Sequence, residues 1–136
     1  MRISAAALIF GYSLAAAQPA VTRFDGTWNV TISCGNLDDG TRGYTYKFTA
    51  EVKDGVLKAQ HRVPDSPGSL RVEGTIPPDG VTELHAYGRT GNPDFAVARP
   101  NEGTPYSFRI KAKFEETRGN GERLDSRPCS LAFFKR

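Results

Sequence analysis

The side chains in this 136-residue chain that could do chemistry are few, and most fall beside Gly-, Pro- and Asp-rich breaks. Tyr44 and Tyr106 each offer an apolar ring with a hydroxyl at its tip, a combination suited to orienting a small amphipathic molecule. Arg42, Arg89, Arg99 and Arg127 could gather at one end of the fold and attract an anion or a carboxylate, because the guanidinium fork favours two-point recognition. Asp38, Asp39, Asp65 and Asp94 share the same connections and could neutralise them as solvated pairs of little worth. His61 and His85 fall on opposite faces of their strands by alternation, so they are not expected to pair as metal ligands. Phe95 lies in the longest break with Val97 and Arg99. Tyr44, His61, Arg89, Phe95, Arg99 and Tyr106 are therefore the candidate ligand-binding residues. Serine-nucleophile, His–Asp, Walker, Rossmann and metal-cluster patterns are all absent, so no catalytic residue, cofactor or metal is expected.

These residues need a scaffold, and the pattern along the chain is one of strands. From Phe24 to Cys34 the residues Phe24, Trp28, Val30, Ile32 and Cys34 share one face, the period-two signature of a half-buried strand. The same alternation recurs at 43–53, 56–63, 70–76, 81–89 and 106–114. A short strand is expected near 122–125, after an Asn-Gly hairpin at Arg118 to Gly121, and a last one at 129–134. No segment of useful length has a helical period. Eight strands joined in order by turn signals read as an all-β, antiparallel up-and-down barrel, in which closure by pairing strand 1 with strand 8 removes both exposed edges.

Two cysteines support closure. Cys34 ends the first strand and Cys129 begins the eighth, and in a meander of even strand count those points lie at the same end. A Cys34–Cys129 disulfide is the favoured reading, with two free thiols or a metal pair as the alternatives. Connections after strands 1, 3 and 5 (35–42, 64–68 and 90–103) are long, whereas those after strands 2, 4 and 6 (54–55, 77–80 and 118–121) are short. One end is thus a tied base and the other an elaborated mouth. Loops of this kind in a compact domain often carry function. The inward set, from Trp28 to Phe133, is rich in large aromatics and points to a mostly filled core, although Ala59, Ala86, Gly88 and Ala112 could open a cavity toward the mouth.

Ahead of the first strand, Met1-Arg2, an apolar stretch to Leu14 and Ala15-Ala16-Ala17 fit a signal peptide cleaved after Ala17. That leaves one domain at 18–136 and an exported location, periplasmic or extracellular in a bacterium. The apolar stretch is shorter than a spanning helix needs, so no membrane association is expected after cleavage. The net charge of +3, reduced by one when Arg2 leaves, is too weak and too interspersed to suggest a nucleic-acid partner.

Gly26-Thr27-Trp28 at the start of the first strand of such a meander resembles the calycin group, which includes lipocalins and avidins. That resemblance implies a Trp at the closed end with a basic residue from the last strand packed over it, a place open to Lys135 or Arg136. With Arg127-Pro128-Cys129, the chain also looks like a family of short exported bacterial proteins of uncharacterised function. It lacks a second lipocalin motif, a C-terminal helix and an avidin biotin-site pattern. The expectation is a monomeric binding protein that takes a small apolar or amphipathic ligand at the mouth. The main alternative is a protein-binding module, an inhibitor or accessory subunit using the 90–103 loop. An enzyme built on His61 and the mouth tyrosines is the third.

Overall fold

The structure is a computed structural model that describes residues 6–11 and 22–136. Most of the expected signal segment, including its cleavage point after Ala17, lies outside the described residues; residues 6–11 have no regular secondary structure.

Alternating side chains produce eight strands: β1 (Gly26–Cys34), β2 (Tyr44–Lys53), β3 (Val56–His61), β4 (Leu70–Thr75), β5 (Val81–Arg89), β6 (Pro105–Phe114), β7 (Arg118–Arg123) and β8 (Cys129–Lys135). Each pairs antiparallel with its sequence neighbour, and β8 returns to β1 to close the barrel. The seam runs from Trp28 opposite Lys135 to Cys34 opposite Cys129, and there the disulfide joins the two strands. The 95-residue separation makes this a long closure, for which a chain-entropy model gives about 4–5 kcal/mol. Disulfides of this kind persist in non-reducing surroundings, which fits an exported chain. Among the described residues no helix is long and apolar enough to cross a membrane.

The seventh strand corrects one expectation. Asn120-Gly121 is not a hairpin turn; β7 covers Arg118–Arg123, and the chain reverses over 115–117. Gly119 and Gly121 face inward against bulky neighbours. A Cβ on Gly119 would lie 2.8 Å from the Phe114 ring, and one on Gly121 would lie 3.0 Å from Ile110. These glycines serve close approach inside a strand, and the shift in register turns Arg123 toward the interior.

The base is solid. Phe24, Trp28, Ile76, Phe114 and Phe133 are all buried there. Phe114 meets Trp28 edge-on at 5.5 Å and Phe133 at 4.8 Å between ring centroids. The Trp28 indole donates to the Phe24 carbonyl at 2.9 Å, so burying its polar atom costs little. Lys135 holds its ammonium 6.0 Å from the Trp28 ring, the basic contact implied by the calycin resemblance. Arg136 instead donates to Asn29. The Asp25 carboxylate accepts from the backbone of Asp54 and Gly55, tying the β2–β3 turn to the chain leading into β1.

Val30, Ile32, Val72, Leu84, Ile110 and Leu131 fill the middle of the barrel. The small residues do not hollow it. Ala59, Ala86 and Ala112 are buried in contact with that core. Gly88 gives its space to Tyr106, whose ring would lie 2.4 Å from an added Cβ.

Candidate functional site

The mouth is built differently. Four connections meet there: β1–β2 (35–43), β3–β4 (62–69), β5–β6 (90–104) and β7–β8 (124–128). Six non-glycine residues among those described have left-handed backbone, and five of them (Arg62, Asp65, Ala98, Arg99 and Ser126) are in these connections. Such conformations persist only where surrounding contacts enforce them, and they concentrate at functional loops.

The enforcing contacts are visible. Asn92 accepts from the Asp94 amide and starts a single 3-10 turn at Pro93–Phe95, which swings the 90–103 loop over the barrel end. Thr90 is buried and donates to the Thr104 carbonyl, closing the neck of that loop. Arg127 is 4% exposed and ties three connections together. It donates to the carbonyls of Phe95 at 2.9 Å, Gly35 at 2.6 Å and Arg42 at 3.2 Å.

Beneath the loop lies a cavity of about 480 Å3, within the range that holds a small ligand. Tyr44, Tyr46, Phe95, Val97, Pro100 and Tyr106 supply apolar wall. Arg62, Arg123 and Arg127 also line it, and no acidic side chain does. Arg123 enters from β7 with its guanidinium 4.0 Å from the Phe108 ring centroid, and its Nε donates to the Asp125 carbonyl at 2.7 Å. The Asp125 carboxylate is occupied elsewhere, gripping the Arg109 side chain and amide on the outer face. Burial makes the charge on Arg123 harder to hold, an effect partly offset by the hydroxyls of Tyr44 and Tyr106 beside it. Burial also pushes both tyrosines above the usual phenol range, so they stay protonated and able to donate at neutral pH.

The six sequence candidates divide. Tyr44, Phe95 and Tyr106 line the cavity. His61 does not; it stacks on Tyr46 at 4.3 Å and packs near Phe48 at 5.7 Å. Its Nε2 is buried without a partner, and burial, with Arg62 nearby, lowers its pKa below 6.5. Arg89 borders a second hollow of about 340 Å3 on the outer side, donating to Gly103 and facing Asp65 at 4.0 Å. Arg99 is exposed beyond the cavity, and Arg42 is exposed with only its carbonyl engaged by Arg127. The four-arginine cluster is therefore not assembled: only Arg127 of that group reaches the cavity. Asp39 feels Arg99 and Arg127 weakly, its carboxylate being lowered first by the Thr41 hydroxyl and amide. His85 is exposed on the outer face, apart from His61. Among the described residues no three His, Cys, Asp or Glu side chains group to hold a metal.

Tyr46, Arg62 and Arg123 are lining residues missing from the candidate set. Alternation marks Tyr46 as inward, and Arg123 has the same mark once β7 is read from Arg118 instead of Glu122. No family model matches this chain, and neither the curated proteins nor the solved structures contain a match to it.

Proposed function

We propose that this chain is a small exported calycin-like binding protein, non-catalytic, that holds a small apolar or amphipathic molecule at the loop-rich mouth of its barrel. The observation carrying the proposal is the cavity of about 480 Å3 beneath the 90–103 loop, walled by Tyr44, Tyr46, Phe95 and Tyr106 above a filled core. Loop contacts centred on Arg127 fix the connections around that cavity, which lowers the ordering cost of binding. The alternative of a partner presented to Phe95 is less favoured, because Phe95 is half-buried and turned into the cavity. An enzyme built on His61 would need a carboxylate to orient the ring, and His61 packs against the Tyr46 and Phe48 rings instead.

The test is native mass spectrometry of protein exported with its own leader and purified without denaturation. We expect a small-molecule adduct that is lost on denaturation and is absent from Val97→Trp, which fills the cavity. A bare mass for the parent protein, or an adduct that survives Val97→Trp, overturns the proposal.

A further inference from the structure

The cavity has a one-sided charge. Four arginines elsewhere on the barrel have acidic neighbours: Arg71 faces Glu73 at 3.6 Å, Arg109 faces Asp125 at 2.9 Å, Arg89 faces Asp65 at 4.0 Å and Arg23 faces Glu116 at 4.0 Å; Arg42, Arg99, Arg118 and Arg136 have no such pair among the described residues but are exposed to water. None of the three cavity arginines forms such a pair among the described residues. Two of them also have restricted access to water, Arg127 buried and Arg123 half-buried, while Arg62 is exposed. Arg127 is buried, with only neutral carbonyls as acceptors and its Nε without any partner. Arg123 uses its Nε on a carbonyl and has the neutral Tyr44 hydroxyl beside its guanidinium, but no carboxylate. Burying a charge without a counter-charge is unfavourable, and proteins retain such an arrangement where a bound group supplies the missing charge.

We propose, resting on the ligand-binding reading above, that the occupant of the mouth is an organic anion: a carboxylate, sulfonate or similar head between Arg123 and Arg127, on an apolar or aromatic body. The division of the walls fits such a molecule. Arg123 and Arg127 come from β7 and the β7–β8 connection, Arg62 from the β3–β4 connection, and Phe95, Val97 and Pro100 add apolar cover from the 90–103 loop. Tyr44 and Tyr106, both protonated, add hydroxyl donors that favour an acceptor oxygen over another donor. The apolar wall makes a free inorganic ion a poor match, since it would leave most of the cavity unfilled. Arg127 holds the loops, so it acts chiefly as a positioning residue, and Arg123 is the group free to grip the head.

Two dyes with the same ring scaffold separate this proposal from the one it rests on. 8-Anilinonaphthalene-1-sulfonate carries the anion and N-phenyl-1-naphthylamine does not; each is titrated by fluorescence into the folded protein. We expect the sulfonate to bind at least about tenfold more tightly, consistent with a desolvated charge-assisted contact. Arg123→Gln should remove most of that preference while moving the neutral dye less than about twofold, and Arg123→Lys should restore part of it. Equal affinities for the two dyes, or a preference that survives Arg123→Gln, would overturn the anion proposal and leave the ligand-binding reading standing. If neither dye binds, both fall. The ratio in the parent protein decides the matter even if Arg123→Gln lowers the yield of folded material.

Discussion

The two ends of this barrel solve the same problem, closing a tube of eight strands, with opposite materials. At the base, short turns bring Phe24, Trp28, Ile76, Phe114 and Phe133 into direct contact, and the one buried indole N–H is satisfied within the plug. At the mouth, long connections are held by hydrogen bonds to backbone carbonyls, with five left-handed non-glycine residues and a buried arginine lacking a counter-ion. The base lowers free energy by removing apolar surface from water. The mouth keeps a cavity and unpaired charge that a structure shaped by stability alone would have filled. The difference puts the proposed binding at the mouth and the stability at the base.

That contrast can be broken from either side. The largest effect is expected from Trp28→Ala, which empties the base plug: a loss of about 3–5 kcal/mol by urea unfolding. Dye affinity at the mouth should stay unchanged in the fraction that remains folded. Removing the seam with the paired change Cys34→Ala and Cys129→Ala should cost about 2–5 kcal/mol, read by the same unfolding. Because the disulfide lies at the mouth end, dye affinity should weaken as well.

Gly88→Ala tests the boundary between the filled core and the cavity. Its new Cβ meets the Tyr106 ring at 2.4 Å, so the ring must move into the cavity. Overpacking of this kind costs about 1–3 kcal/mol, and N-phenyl-1-naphthylamine affinity should fall with it.

The smallest effect concerns His61. Its folded pKa lies below the ordinary 6.5, so on acidification the unfolded chain takes up this proton first. Stability from this group is therefore present above pH 6.5 and is lost as pH falls through the lowered folded value. His61→Phe keeps a ring against Tyr46 and removes the unpaired Nε2. It should be neutral or stabilising by up to about 1 kcal/mol at pH 7, with a shallower fall in melting temperature between pH 7 and pH 5. An unchanged pH slope would remove His61 from the mouth's energetics.

How much of this was legible before the fold was seen depends on how each strand writes its alternation. β1, β2 and β6 carry mostly large apolar residues at every second position, so their inward faces, and with them Tyr44, Tyr106 and Cys34, could be read directly. β7 has no apolar side chain. Its inward positions are Gly119, Gly121 and Arg123, and hydrophobic periodicity is blind to a face made of two glycines and an arginine. A signal was nonetheless present, because Phe114, opposite Gly119, and Ile110, packed against Gly121, leave room only for small residues at those two positions. Arg127 was visible as a mouth residue, but its burial was not. That depends on three carbonyls from connections up to 92 positions away in the chain, and no local pattern encodes such contacts. Arg89 and Arg99 misled for the converse reason. They lie next to the right loop, and a residue's place along a loop does not fix which way its side chain turns.

The separation between a binding mouth and a sealed base is tested most directly by 1H–15N correlation spectra recorded during titration with N-phenyl-1-naphthylamine. The expected shifts are at the amides of Tyr46, Thr90, Phe95, Tyr106 and Arg123, with Trp28, Phe114 and Phe133 unmoved. Shifts centred on the base residues, or none at any dye concentration that stays soluble, would contradict it.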